Sequence, residues 1–189
     1  MIECFDKTTE NVLSSLEETQ KNFWNISRVT GQFLYTLIKT AGCKNVIEVG
    51  TSNGYSGIWI GKALKETGGH LTTIEFWEKR FSIARENFKT CGVDDVISIV
   101  QGSACEVLKG LPKDFKIDFA FIDANKKEYI DYFKLIHPHL KSGGFIACDN
   151  VLSHKEKTQA FIDAINKHPD YENVVLSLPA GLSLGRKIR

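Results

Sequence analysis

Four residues in the second half of the chain have the types and spacing for chemistry. They are Asp123 and Lys126 in FIDANK, and Asp149 and Asn150 in ACDN. Each acid closes a short apolar run, IDFAFID (117–123) and GFIACD (144–149), with the length and composition of a buried strand. Neighbouring strands lie ~4.8 Å apart, so the two carboxylates and the amide carbonyl can converge at one rim. Such an all-oxygen set is hard. It favours Mg²⁺, with Ca²⁺ or Mn²⁺ as alternatives, over zinc, which prefers His and Cys. Without a cation, two adjacent acids repel and one pKa rises. The competing reading is a pair of solvated strand ends, with Asp123 capping the helix that follows.

A second group lies earlier, in VIEVGTSNGYSGIWIG (46–61). Glu48 stands near the end of an apolar run, and Gly50 and Gly54 follow in the turn before a helical pattern. Glycines there let the backbone bend sharply and approach a ligand, and the helix start offers free N–H groups. The spacing is E-x-G-x-x-x-G. A dinucleotide loop wants glycine where Ser52 stands, and a Walker loop wants lysine where Tyr55 stands. The pattern instead suits a ligand with an ammonium, a carboxylate and a nucleoside, such as S-adenosylmethionine. Glu75 ends the next run, HLTTIE (70–75), where an acid can accept from both ribose hydroxyls. An ordinary tight turn with two solvated acids is the alternative.

These residues need a scaffold. Strand-like runs at 45–50, 70–75, 96–100, 117–123 and 144–149 alternate with helical patterns. SGIWIGKALKET stops at Gly68-Gly69, and WEKRFSIARENFKTCG turns Phe81, Ala84 and Phe88 to one side. EYIDYFKLIHPHLKSGG carries Tyr129, Ile130, Phe133, Ile136 and Leu140, with Pro138 near its last turn. HKEKTQAFIDAINKH presents Ala160, Phe161, Ala164 and Ile165 inward. Such alternation implies parallel strands with helices on both faces. Two final runs joined at Pro179-Ala180-Gly181 predict a hairpin and one antiparallel strand. Two helices, around Thr9–Lys21 and Thr30–Ala41, precede the first strand. The reading is one domain over 1–189, with N-terminal helices to 42 and a Rossmann-like core from 43.

Composition removes other classes. The formal net charge of +1 gives no global pull toward nucleic acid or anionic membrane. No stretch approaches the ~20 apolar residues of a membrane span, and the opening MIECFDKTTENVL has no long apolar run, so no secretory leader is expected. Five scattered cysteines without a C-x-x-C pair read as free thiols in a reducing cytoplasm.

TGQFLYTLIK, VIEVGTSNGYSGIWIGKAL, LTTIEFWEKRFSIARENF, QGSACEVL, IDFAFIDANKKEYIDYF and GGFIACDNVLSH occur in that order. In these segments the chain resembles the cation-dependent S-adenosylmethionine O-methyltransferases, the group of catechol and caffeoyl-CoA O-methyltransferases and their small bacterial relatives. The glycine motif is shared by most methyltransferases using this cofactor; GYS with FIDANKKEY and CDN is narrower. The resemblance implies a seven-stranded, mostly parallel Rossmann-like sheet with a C-terminal antiparallel hairpin. It implies cofactor contacts at Glu48, Gly50, Thr51, Ser56, Glu75, Ala104 and Asp123, and metal ligands at Asp123, Asp149 and Asn150. It makes Lys126 the general base on the acceptor hydroxyl; a solvated lysine at a helix start is the alternative. Ser56 would hold the methionine carboxylate, and Trp77 would pack on the core rather than border adenine. His154 would start the last helix. Asn125 replaces the family's usual second aspartate, at a position outside the ligand set. The implied acceptor is a small catechol-like or hydroxycinnamoyl compound and the implied assembly a homodimer. A hydroxylated uridine of transfer RNA is an alternative acceptor, and a non-catalytic S-adenosylmethionine-binding protein an alternative function. About 29 residues precede TGQFL, fewer than in plant-type relatives, and the turn LPAGLSLG is short. Both departures touch the expected acceptor side.

Overall fold

The computed structural model describes residues 4–189. Residues 1–3 of the expected N-terminal segment lie outside the described residues. Runs rich in Val, Ile and Phe form β1 (Asn45–Val49), β2 (His70–Glu75), β3 (Ile97–Gln101), β4 (Ile117–Ile122) and β5 (Leu140–Cys148). These five pair in parallel. The hairpin strands are β6 (Tyr171–Leu176) and β7 (Leu182–Lys187). The order is β3-β2-β1-β4-β5-β7-β6, and β7 runs against its neighbours β5 and β6. The expected seven-stranded sheet with an antiparallel hairpin is therefore present. Strand order reverses between β1 and β4, so the cleft of such a sheet opens above their carboxyl ends.

Helices cover both faces. In chain order they are α1 (Lys7–Glu18), α2 (Gln20–Phe23), α3 (Arg28–Thr40), α4 (Tyr55–Thr67), α5 (Glu78–Thr90), α6 (Ala104–Lys109), α7 (Tyr129–Ile136) and α8 (Lys155–Lys167). Leu13, Leu34, Ile38, Trp59, Ala84 and Phe88 pack with Val46 and Phe119 on one face. Leu108, Tyr129, Phe133, Phe161 and Ile165 pack with Ile47, Val49 and Ile122 on the other. Strand residues thus alternate between two buried layers, the period-two rule at work on both sides of the sheet.

Several boundaries differ from the sequence reading for identifiable reasons. The first expected helix is two, because the chain breaks at Thr19, whose hydroxyl donates to the Leu16 carbonyl (3.2 Å). α3 starts at Arg28 because Ser27 caps it, accepting from the Thr30 N–H (3.2 Å). α7 ends at Ile136, before Pro138, and Leu140 opens β5 instead of closing the helix. A register shift between Ile117 and Phe119 absorbs the early start of β5. In α8 the inward stripe is Thr158, Phe161 and Ile165, which leaves Ala160 outside. Gly68 in the left-handed region ends α4 as expected.

Candidate active site

The glycine turn is shaped by steric need. Gly50 has φ +104°, and a Cβ there would stand 2.2 Å from the Asp123 carbonyl oxygen. Gly54 has φ +88°, and its Cβ would meet the Phe88 ring at 2.7 Å. Both positions require glycine, for close approach and for backbone angle together. The turn is tied to the sheet by the Gly50 N–H, which donates to the Ile74 carbonyl (3.0 Å). It forms one wall of a cavity of about 490 Å³, within the size range of small-molecule sites. Gly50, Thr51, Ser56, Glu75, Ala104, Asp123 and Lys126 all line it.

Glu48 departs from the expectation. It shares the face of Val46 beneath α4 and is 0% exposed, so it does not line the cavity. Alternation along β1 aims it at the start of α4. There Ser56 Oγ donates to Glu48 Oε1 (2.5 Å) and Thr73 Oγ1 donates to Oε2 (2.6 Å). Thr51 Oγ1 lies 2.6 Å from Thr73 Oγ1. Burial raises the Glu48 pKa to about 7, against the two hydroxyl bonds that lower it; the charges of Asp123 and Glu75 add to the rise. The Ser56 hydroxyl is thereby committed to Glu48, and the Ser56 contribution to a ligand reduces to its place in the first turn of α4.

Glu75 matches its expected place at the end of β2. Its two oxygens accept from the Ser52 N–H and the Trp77 N–H, each at 2.8 Å, which fixes the carboxylate at the cavity wall. Trp77 does not pack on the core. It is 62% exposed, lines the cavity and meets Phe76 edge-on at 5.2 Å. Trp24, which also lines the cavity, ends α2 in the left-handed region (φ 58°) and is 71% exposed. Arg80 stacks over Trp24 at 4.8 Å, and Ser52 Oγ donates to the Phe23 carbonyl (3.0 Å). The rim formed by Phe23, Trp24 and Arg80 was not anticipated. Its signal was the Phe-Trp pair, which occurs at 23–24 and again at 76–77, too apolar for two exposed turns without a ligand to cover.

The hard oxygens gather at the next two strand ends. The Asp123 N–H donates to the Val49 carbonyl (2.9 Å) and the Asp149 N–H to the Ile122 carbonyl (3.0 Å), so each acid continues the ladder by one residue. Lys126 Nζ donates to Asp123 Oδ1 at 2.8 Å. Asp149 is 3% exposed, and its Oδ1 is buried with no hydrogen-bond partner among the described residues. Burial and the neighbouring Asp123 charge raise its pKa to about 7. A buried carboxylate oxygen without a donor is costly, and a hard divalent cation is the partner that relieves it. Asn150 follows in a left-handed turn (φ 64°). The residues present therefore fit the implied cation. Tyr129, buried under them, donates to the Asp149 carbonyl (3.2 Å).

A second depression adjoins the cavity. Asn150, Lys126, Lys127, Lys21, Lys157 and His154 line it, with no acid in the wall. His154 stands just ahead of α8, as expected, and is exposed.

Known proteins share this fold and family. A family model described as O-methyltransferase matches residues 6–188. The chain is 33% identical over 141 residues to a catechol O-methyltransferase of Niastella koreensis, covering 74% of this chain and 63% of that protein. It is 34% identical over 155 residues to a caffeoyl-CoA O-methyltransferase of Medicago sativa, covering 78% and 62%. It thus spans less than two thirds of the length of these two relatives. Among solved structures, an O-methyltransferase from Bacillus cereus in complex with SAH superposes with a TM-score of 0.86 at 27% identity, over 99% of this chain and 93% of that one. Among the described residues no helix is long and apolar enough to cross a membrane.

Proposed function

The chain belongs to the O-methyltransferase family, and from that premise we propose that it moves the methyl group of S-adenosylmethionine to a hydroxyl of a small catechol-like or hydroxycinnamoyl acceptor. The observation that carries the reading is one cavity lined together by Gly50, Glu75, Asp123 and Lys126. Glu75 would accept from the ribose hydroxyls with the lone pairs its two loop bonds leave. Gly102, Ser103 and Ala104 leave room for an adenine, with Trp77 beside it. Asp123, Asp149 and Asn150 would hold a divalent cation, Mg²⁺ foremost, whose charge would orient the acceptor and acidify its hydroxyl.

Lys126 would receive the hydroxyl proton. It must first give up its bond to Asp123 and its own proton, so its role is linked to what neutralises Asp123. The methyl carbon then passes in line from sulfur to oxygen. A C–O bond forms as the C–S bond breaks, and the sulfur keeps the bonding pair as a neutral thioether. The sulfonium is already electrophilic, so the chain's contribution is orientation and a deprotonated nucleophile.

The lysine-lined depression favours acceptors with negative charge remote from the reacting hydroxyl, and it gives the transfer RNA reading its physical support. Labelled S-adenosylmethionine and Mg²⁺ should yield methylated catechols or hydroxycinnamoyl thioesters, and EDTA should stop the reaction. Methylation of bulk transfer RNA alone would select the second acceptor class. Calorimetric binding of NAD but not of S-adenosylmethionine would overturn the reading.

A further inference from the structure

The opposite pole of the sheet carries a second set of ligand-type side chains. His137 follows α7, and His168 and Asp170 sit in the turn between α8 and β6. They are 31 and 33 residues from His137 in sequence, yet one ligand atom from each of the three lies within 4.8 Å of the other two. All three are partly buried. Each ring has one hydrogen-bond partner. His137 Nδ1 lies 3.1 Å from the Tyr171 hydroxyl, and His168 Nδ1 accepts from the Asp170 N–H at 3.2 Å. Phe133 stacks edge-on against His168 at 5.9 Å, and the two imidazoles are 4.6 Å apart, centre to centre.

Two packed imidazoles are poorly matched as cations, because each charge would oppose the other. Burial, then the Lys187 charge and His168, keep the His137 pKa below its ordinary value, with Asp170 opposing. Neutral imidazole is the metal-binding form. Lys187 is the facing cation, and its ammonium is engaged by the carbonyls of His137 (2.7 Å) and Leu140 (3.0 Å). The His137–Tyr171 bond is of the kind that orients a metal-ligating histidine, with Nδ1 donating to the hydroxyl and Nε2 free for a metal. His168 Nδ1 accepts, so His168 would exchange its Asp170 N–H bond for the metal, either binding through Nδ1 or moving its hydrogen there to free Nε2.

We propose that His137, His168 and Asp170 form a binding site for a borderline divalent cation of the Zn²⁺ class, at the amino-terminal pole of the sheet. Two nitrogens and one carboxylate oxygen select Zn²⁺, Co²⁺ or Ni²⁺ over Mg²⁺ and Ca²⁺. Three protein ligands leave a fourth position to water. Bonds near 2.1 Å put two ligands of a tetrahedral ion about 3.4 Å apart, so the three ligand atoms, which lie within 4.8 Å of one another, draw together by up to about 1.4 Å on binding. Asp170 and His168 lie outside regular structure and can make that movement. The bound ion would tie the end of α7 to the α8–β6 turn.

The full chain, titrated with Co²⁺ under excess Mg²⁺, tests this. One Co²⁺ per chain with the intense visible absorption of a four-coordinate ion is expected. His168→Ala and Asp170→Asn should each weaken Co²⁺ binding at least tenfold, while Asp149→Ala leaves it unchanged. In the unmutated chain, Zn²⁺ should shift the imidazole resonances of His137 and His168 and no other histidine, a readout that does not depend on the variants folding. Absence of stoichiometric Co²⁺ binding, unshifted histidine resonances, absorption that disappears in Asp149→Ala, or absorption that survives in folded His168→Ala but not after thiol alkylation would each overturn the proposal.

Discussion

Asp118 near the start of β4 and Asp149 just past the end of β5 are the same residue type on neighbouring strands, treated in opposite ways. Asp118 accepts from the Lys44 and Asn45 N–H groups (2.9 and 2.8 Å) and from Lys141 Nζ (2.6 Å). Burial works to raise its pKa, but the Lys141 bond and the two amides hold it below the ordinary value. Asp149 is more deeply buried, has an oxygen with no donor among the described residues, and is pushed up to about 7. At one end of the sheet a carboxylate is fully served by its own chain. At the other it is left short, with one oxygen unpaired among the described residues. Polar groups that the fold leaves unserved mark where something external is to be bound. The contrast predicts that damage to the cavity-lining residues at the carboxyl end falls on turnover and ligand binding, and damage at the amino end or at the buried Glu48 on stability.

The largest effect should come from Lys126→Ala. Loss of a general base typically costs ~10²–10⁴ in rate, so kcat should fall by that factor while Tm stays near that of the unmutated chain. A nitro-substituted catechol, already ionised, should be much less affected than catechol. Equal impairment on both acceptors would make Lys126 a positioning residue.

Next is Glu48→Gln, read as stability against pH. The folded pKa of about 7 lies above the ordinary 4.5. The folded state therefore holds the proton more tightly, and this contribution is fully present below pH 4.5 and lost as pH rises through about 7. At ~1.4 kcal/mol per pKa unit the loss is up to about 3 kcal/mol. Denaturant titrations at pH 5 and pH 8 should show that slope in the unmutated chain and a smaller one in the variant. Identical slopes would mean that Glu48 is not the group titrating.

Glu75→Ala should weaken S-adenosylmethionine binding by ~1.5–3 kcal/mol, the worth of hydrogen bonds to a charged acceptor, as measured by calorimetry. The smallest effect belongs to Asp118→Ala, about 1 kcal/mol of stability, because its partners are partly solvated. Its specific activity should be unchanged when assayed well below Tm. A loss of activity there without a loss of stability would break the division between the two ends.

The strands and the hairpin were legible because buried parallel strands are near-continuous Val, Ile and Phe runs, and turn residues bound them. The start of β5 was not. Leu140 falls in step with the helical spacing of Ile136 and Phe133, and Ser142-Gly143-Gly144 looks like a stop. Asp123, Asp149 and Glu75 were legible as residues at strand ends, and Lys126 by its distance of three residues from Asp123. Glu48 was legible as special, but its direction was not, since β1 is buried on both faces and its pattern does not tell cleft from core. Trp24 and Arg80, and likewise His137 and His168, come together only in three dimensions. Nothing in their local spacing announces a partner.

The hydroxyls around Glu48 also have a direction. When Glu48 is ionised it can only accept, so Ser56 and Thr73 must both point their hydrogens at it, and Thr73 must in turn accept from Thr51. Every arrow in the row then runs inward, and the Thr51 oxygen keeps only lone pairs for any further partner. When Glu48 takes up one proton it can give one back, an arrow reverses, and Thr51 is free to offer a hydrogen instead. Protonation of one buried carboxyl can therefore reverse the polarity of a whole row of hydroxyls without the displacement of a single heavy atom.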